Sequence, residues 1–206
     1  SERVINFAFD LARHRHRKMG VSQSVTCVDK SNVTRGCRLF RGIFNEISEQ
    51  NPDIETHAAY IDAFTMWLMR DPEDLDVVVL PNMFGDIATD LASVLQGGLG
   101  MAASANLGPK HMMFEPVHGS APKYTGKNVV NPIATLQSVQ MMFEALAYRK
   151  KDEDLDKCAD ILQQAIQEHF EEGGVVTYDL GGDASTSEVG QAIADRCTAL
   201  LEQEFQ

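Results

Sequence analysis

The sequence is sparing with cysteine, with positive charge and with long apolar runs, and each shortage removes a class of function. Its four cysteines, Cys27, Cys37, Cys158 and Cys197, stand far apart, with no C-x-x-C pair and no histidine at zinc-finger spacing. They read as reduced, structural thiols of a cytosol-like compartment rather than as a disulfide framework or a zinc site. No segment approaches the ~20 consecutive apolar residues of a membrane span, and no signal-peptide pattern is present. Neither membrane insertion nor secretion is therefore expected; the expected location is the cytoplasm, or an organelle matrix if a transit peptide lies upstream. Lys and Arg number 18 against 30 Asp and Glu, a net charge of −12. Nucleic acid is excluded as a general partner, because neutralising phosphates needs a surplus of cations. The one basic run, Arg13-His14-Arg15-His16-Arg17-Lys18, closes a predicted helix, where cations oppose the C-terminal dipole and are expected to be solvated.

What is present is an alternation of strand and helix. The 206 residues suffice for one large or two small domains. Glu2 to Met19 carries Val4, Ile5, Ala8, Phe9 and Leu11 at helical steps and stops at Gly20. Ser24 to Val28 reads as a strand, followed by the polar loop Asp29-Lys30-Ser31-Asn32-Val33-Thr34. A helix from about Arg35 to Gln50 is expected to bury Leu39, Phe40, Ile43, Phe44 and Ile47. Ile54 to Ile61 is the next strand, with Asp62 where the chain turns into a short helix. Asp76 to Leu80, β-branched and closed by Pro81, is a third. Three alternations signify βαβ units and a largely parallel sheet, whose functional groups gather at the carboxyl ends of the strands.

The stretch Asn82-Met83-Phe84-Gly85-Asp86-Ile87-Ala88-Thr89-Asp90 follows that third strand. Phe84, Ile87, Leu91, Val94 and Leu95 recur at three- and four-residue steps, so Asp86 and Asp90 project from one helix face. Like charges at that spacing repel by a few tenths of a kcal/mol, roughly, unless a cation or the helix dipole offsets them. A hard divalent ion, which takes carboxylate oxygens, is one answer; a solvated acidic turn is the other. Lys30, Asp62 and the Asp86/Asp90 pair each follow a predicted strand, so all can converge on one edge of the sheet.

Gly97-Gly98-Leu99-Gly100 breaks the pattern, placing a boundary between domains of residues 1–97 and 98–206. Ala102 to Asn106 is small and polar, and Met112 to Phe114 is a short strand. In the loop His118-Gly119-Ser120-Ala121-Pro122-Lys123-Tyr124-Thr125-Gly126, small residues let backbone approach a ligand while Lys123 supplies charge for a phosphate; a plain surface turn is the alternative. Asn131-Pro132 opens a helix running to about Tyr148. Another helix from Asp152 turns Leu155, Cys158, Ile161, Leu162, Ala165 and Ile166 inward. Val175 to Tyr178 is extended, and Ser185-Thr186-Ser187-Glu188 forms a capping box for the last helix.

In their order these motifs resemble the β-decarboxylating dehydrogenases, the isocitrate/isopropylmalate dehydrogenase family. The matching stretches are Val28-Asp29-Lys30-Ser31-Asn32-Val33, Tyr60-Ile61-Asp62-Ala63, Asn82-Met83-Phe84-Gly85-Asp86 with Asp90, Phe114-Glu115-Pro116-Val117-His118-Gly119-Ser120-Ala121-Pro122, and Asn131-Pro132. The resemblance implies an α/β, isopropylmalate dehydrogenase-like two-domain fold, here incomplete at its N-terminal side. Residues 1–97 would be part of the central substrate, metal and dimerisation domain, and residues 98–206 the C-terminal part of the cofactor-binding domain. The implied reaction is metal-dependent oxidative decarboxylation of a 3-isopropylmalate-type 2-hydroxy acid with reduction of NADP or NAD. Isocitrate, homoisocitrate and tartrate/malate are alternative substrates, and a non-catalytic regulatory subunit is the alternative of another class.

The resemblance also assigns roles. Lys30 matches the catalytic lysine that moves the proton of the substrate's 2-hydroxyl. Asp62 is implied as catalytic and, with Asp86 and Asp90, as a ligand of Mg²⁺ or Mn²⁺. Asn32 and Val33 would lie near the substrate, a small di- or tricarboxylic 2-hydroxy acid. In the family's homodimer, Lys30 and Asp62 reach into the neighbouring subunit's site. Glu115, His118, Gly119, Ser120 and Ala121, with Asn131, match the adenosine side of the cofactor site. Lys123 and Tyr124 match the pair carried by NADP-using members, where NAD-using members commonly have an aspartate at the first position. Tyr178 matches the NADP pattern as well. Gly182 stands where those enzymes have an arginine, and otherwise Tyr178 to Gly182 follows the NAD pattern; on balance the expectation is NADP. The family's substrate-carboxylate arginines and catalytic tyrosine lie upstream of Ser1, so this chain alone is expected to be an inactive fragment.

Overall fold

The spine of the first unit is β1 (Ser24–Asp29), all six of whose residues are buried. Its neighbours in the sheet are β2 (Glu55–Tyr60) and β3 (Val77–Val79), in the order β2-β1-β3, and both pairings are parallel. A strand buried on both faces and rich in Val and Thr is what a parallel sheet requires. The structure, a computed structural model, describes residues 1–204, and the chain divides into two compact units, Ser1–Leu95 and Gln96–Gln206.

In the first unit, side chains of β1 alternate between two cores, as the pleat dictates. Val25 and Cys27 join Ile5, Phe9, Phe40 and Phe44, which come from α1 (Glu2–Met19) and α2 (Arg35–Glu49). Val28 joins Phe64 and Leu68 of α3 (Ile61–Arg70) and Ala88 of α4 (Asn82–Ser93). The result is three layers, helix pair, sheet, helix pair. Each fully buried Phe or Ile contributes about 1.5–3 kcal/mol of transfer free energy. Phe9 and Phe44 also meet ring to ring at 5.8 Å. Gly20 ends α1 in the left-handed conformation, φ 68°, and returns its N–H to the His16 carbonyl.

Sequence periodicity misplaces a few side chains. Leu39 is 65% exposed, because α2 docks through Cys37, Phe40, Phe44 and Ile47, a stripe roughly one residue's rotation away. Arg13 and Arg15 are not simply solvated. Arg13 Nε donates to Asp53 at 2.8 Å, and Arg15 Nε donates at 2.7 Å to Asp76, whose side chain is buried. The Arg13 hydrogen bond, ahead of its other effects, holds the Asp53 carboxyl below its ordinary value.

In the second unit, β4 (Ala103–Leu107) and β5 (Met112–Pro116) form an antiparallel hairpin, which Arg149 of α5 (Ile133–Lys150) ties through the Gly108 carbonyl at 2.8 Å. Helices α5, α6 (Glu153–Glu171) and α7 (Thr186–Glu204) pack in sequence around Ile133, Leu162, Ala165, Ile166, Val189 and Ile193. Ala103 to Asn106 is thus a strand, its pairing supplied by β5. Cys158 faces solvent, since Ala159, Leu162 and Ala165 take the core side of α6. The capping box forms as the sequence predicts. Glu188 accepts from the Ser185 N–H at 2.8 Å and hydroxyl at 2.6 Å, and Ser185 Oγ accepts the Glu188 N–H at 3.3 Å. Among the described residues no helix is long and apolar enough to cross a membrane.

Candidate active site

Lys30 and Asp62 meet because β1 and β2 end together. Asp29 pairs with Tyr60 in the register, so the next residues of each strand leave the sheet at about the ~4.8 Å spacing of neighbouring strands. Lys30 Nζ donates to Asp62 Oδ1, and the same ammonium lies 5.6 Å from the centre of the Tyr60 ring. Asp62 sits in the first turn of α3, where the helix dipole favours a carboxylate. Its carboxyl is held below the ordinary aspartate value, first by the Lys30 hydrogen bond and then by a bond from its own backbone.

The strand order reverses at β1, and ligands of such sheets bind outside the carboxyl ends at that point. Leu80 and Pro81 lead from β3 into α4, which carries Asp86 and Asp90 on one exposed face. Asp86 Oδ2 accepts from Asn82 Nδ2 at 3.1 Å. Among the described residues neither acid has a cationic partner, and no cluster of three or more His, Cys, Asp or Glu is close enough to hold a metal. The donor set nevertheless suits Mg²⁺ or Mn²⁺, which take one or two protein carboxylates and fill the remaining positions with water and substrate. Asn32 and Val33, expected near substrate, are exposed in the turn after Lys30. That turn is closed by the Val33 and Thr34 N–H groups on the Lys30 carbonyl, at 3.0 and 2.9 Å.

Within the second unit, the expected adenosine residues fall into two groups. Glu115 is exposed on β5, where Asn106 reaches it at 3.5 Å. His118 turns its Nδ1 to the Gly119 carbonyl at 2.9 Å, and Gly119 and Ser120 are exposed. Ala121 has φ 45° and ψ 57°, a left-handed conformation costing a residue with a Cβ about 1–2 kcal/mol. It swings Pro122-Lys123-Tyr124 into a short helical turn. Lys123 and Lys127 lie 5.3 and 5.7 Å from the Tyr124 ring centre, and the Tyr124 and Tyr178 rings are 6.1 Å apart. The hydrogen bond with Tyr178, reinforced by the lysine charges, lowers the Tyr124 hydroxyl below its ordinary value, and the same bond raises that of Tyr178. Among the described residues neither lysine has a carboxylate partner, which fits an anionic group such as a phosphate.

Asn131 points elsewhere. Only 7% exposed, its carboxamide donates to Asp179 at 3.1 Å and accepts the Ile133 N–H at 3.0 Å. Thr177 donates to the other Asp179 oxygen at 2.5 Å. The side chain therefore ties the start of α5 to the Tyr178 turn, and the backbone of Asn131 is what remains for a ligand. The Gly182 departure from the NADP pattern has a physical cause as well. A Cβ there would stand 2.1 Å from the Val176 carbonyl oxygen, so no side chain fits this backbone.

Two residues placed beside these groups, Lys127 and Arg41, had no reading in the sequence. Lys127 repeats Lys123 at a four-residue step, and Arg41 is a charge one helical turn from Cys37 on an otherwise apolar stripe. Both spacings are visible in the sequence, and neither says what the charge faces.

The first unit is thus a parallel α/β sheet with a lysine–carboxylate contact at its strand ends, and the second carries a cation-flanked small-residue loop. The sequence profile of the isocitrate/isopropylmalate dehydrogenases matches residues 1–193. The chain is 44% identical over 198 residues to the 3-isopropylmalate/3-methylmalate dehydrogenase of Methanocaldococcus jannaschii, covering 95% of this chain and 56% of that protein. It is 42% identical over 197 residues to the NADP isocitrate dehydrogenase of Thermus thermophilus, covering 94% and 37%. The crystal structure of isocitrate dehydrogenase from Methylococcus capsulatus superposes with TM-score 0.84 at 39% identity, over 95% of this chain and 55% of that one. The chain belongs to the isocitrate/isopropylmalate dehydrogenase family, and it spans about half the length of most of the curated relatives it matches.

Proposed function

We propose that this chain supplies the lysine, the metal carboxylates and the cofactor loop of a metal-dependent oxidative decarboxylase acting on a 3-isopropylmalate-type 2-hydroxy acid, with NADP or NAD reduced. The observation that carries the reading is the Lys30–Asp62 contact at the matched ends of β1 and β2. Lys30 moves the proton at the substrate's 2-hydroxyl oxygen, and Asp62 fixes the direction of Nζ; placement within hydrogen-bond reach is the first requirement of such a group. Asp86 and Asp90, joined by Asp62 of a second copy, would hold the divalent cation, and Asn32 and Val33 would border the substrate. When bound, the cation supplies positive charge beside the reacting oxygens, and the nicotinamide supplies the two-electron acceptor.

Glu115 and the His118 to Ala121 loop would take the adenosine side of the cofactor, with the Asn131 backbone. Lys123, Tyr124 and Tyr178, joined by Lys127, would face a ribose 2′-phosphate, which favours NADP. That cluster is also the observation favouring isocitrate as second substrate reading. A homodimer with shared sites is supported by apolar side chains left on the surface of α3 and α4, among them Met66, Met69, Met83 and Ile87. Cytoplasmic or organelle-matrix placement goes with this chemistry.

The test is Mn²⁺-dependent reduction of NADP⁺ and NAD⁺ by the full-length protein with isopropylmalate, isocitrate, homoisocitrate, malate and tartrate. Lys30→Met is expected to lower kcat by about 10²–10⁴-fold, the usual contribution of a positioned proton-transfer group. Lys123→Ala is expected to raise KM for NADP⁺ more than for NAD⁺. Full activity in the Lys30 variant would end the reading.

A further inference from the structure

We propose that Arg41 and Asp29 are positioning residues, which lock the ends of β1 and β2 together so that Lys30 meets Asp62 in one geometry. The inference rests on the reading of Lys30 as the proton-moving group. Asp29 is the last residue of β1, immediately before Lys30, and its side chain is fully buried. Arg41 reaches it from α2. Its Nε donates to Asp29 Oδ2 at 2.9 Å, while its Nη2 donates to the Ala59 carbonyl at 3.0 Å and, at 3.5 Å, to that of Cys27. Ala59 pairs with Val28 in the register and stands three residues before Asp62. One planar guanidinium therefore grips the strand that delivers Lys30 and the strand that delivers Asp62.

The second oxygen of Asp29 accepts the Ser31 N–H at 2.8 Å, and Arg38, also on α2, donates to the Ser31 carbonyl at 2.8 Å. The residue after Lys30 is thus held on both sides of its peptide unit. A buried ion pair is a poor source of stability compared with an apolar pair of the same volume. Fixed geometry at the strand ends is what this one supplies, and only a planar, multi-donor group can serve both strands.

Three variants of the full-length protein test the assignment. Arg41→Lys keeps a cation beside Asp29 but cannot hold both strands. The pair Asp29→Asn with Arg41→Met leaves no buried charge behind. Lys30→Met shows how the Asp62 side chain lies with the contact removed. The Lys30 Nζ–Asp62 contact is read from a crystal structure of each variant, folding is followed by thermal melting, and kcat and KM are measured with both nicotinamide cofactors.

In Arg41→Lys and in the double variant, the Lys30–Asp62 contact is expected to be lost or spread over several placements. In parallel, kcat is expected to fall about 10–100-fold, the scale of a 1 Å misplacement, with the cofactor KM within about twofold because the cofactor loop is untouched. A Lys30–Asp62 contact unchanged in a variant that melts cooperatively overturns the proposal. Loss of the contact in the variants of a parent protein with no dehydrogenase activity upholds the positioning and overturns the functional reading instead.

Discussion

Replacing Asn131 by alanine tests the interior of the second unit. Beside a weak contact of its Nδ2 with the Met101 sulfur at 3.5 Å, the carboxamide makes two bonds whose loss can be weighed separately. Its oxygen accepts the Ile133 N–H at the start of α5, a capping-type bond whose removal costs about 0.5–2 kcal/mol. Its Nδ2 donates to Asp179 at 3.1 Å, and a bond to a charged acceptor is worth about 1.5–3 kcal/mol when buried. Asp179 itself is exposed, so solvent takes over much of that second contribution and about 1 kcal/mol is a fair share. The expected loss is about 1.5–3 kcal/mol, which at a urea slope of ~2 kcal/mol/M lowers the midpoint by about 1 M. Far-UV circular dichroism follows the transition, and the single tryptophan, Trp67, lies in the first unit and reports that unit separately. Asn131→Asp sharpens the test. The new carboxylate keeps an acceptor for the Ile133 N–H but confronts Asp179, so one of the two carboxyls binds its proton at a higher pH than it does unfolded. That stability is fully present below the ordinary carboxyl range and is lost as pH rises through the raised value. A midpoint shift under 0.3 M, roughly, in the alanine variant, or a pH-independent penalty in the aspartate variant, would refute the network.

Three further outcomes are expected. Gly182→Arg lowers the melting temperature and does not raise the preference for NADP, since its Cβ is driven 2.1 Å from the Val176 carbonyl oxygen; a variant that melts like the parent and favours NADP contradicts this. Native-state thiol labelling modifies Cys158, which is exposed, and spares Cys27, whose thiol burial pushes up to about 11; peptide mapping after a short pulse at neutral pH reads the difference. Acid destabilises the fold in a defined window. The carboxyls of Asp53, Asp62, Glu172 and Glu188 are all lowered, by hydrogen bonds from Arg13, Lys30, Arg196 and Ser185 respectively. Their contribution is present above the unfolded values of 3.8 and 4.5 and is lost as pH falls through the lower folded ones. Melting temperatures that stay level from neutral pH to pH 3 would be incompatible with those bonds.

The sequence was most legible where periodicity and caps agree. Helix α1 with Gly20, the buried run of β1, and the Ser185–Glu188 box all combine a strong hydrophobic pattern with a local stop or start. Strand β4 was not legible, because Ala103-Ser104-Ala105-Asn106 has no β-branched or aromatic residue and gains its strand character from pairing with β5. Leu39 and Cys158 show the limit of helical steps. Several faces of α2 and α6 hold apolar residues, and which one is buried depends on the neighbour it meets. Lys30 and Asp62 were legible as residues that follow strands. Their contact was not, since it depends on a register in which Asp29 stands opposite Tyr60. Arg41 was hidden for the same reason: a charge on an apolar helix stripe has meaning only once Asp29 and the Ala59 carbonyl are known to lie beneath it.

The acids of the site divide by what already engages them. Asp62 spends one oxygen on Lys30 and owes its lowered carboxyl to that bond. Among the described residues Asp86 has only the neutral Asn82 amide as a side-chain partner, and Asp90 shares its face of α4. Two exposed carboxylates four residues apart repel weakly, by a few tenths of a kcal/mol, roughly, so the protein tolerates them without a cation at little cost to stability. A divalent ion that takes only one or two protein carboxylates needs nothing more from this chain than the α4 pair. The same division explains why no three-acid cluster gathers among the described residues. Asp62 is committed by the strand register to Lys30, and under the proposed function its free oxygen is what it would offer to the cation of a second copy.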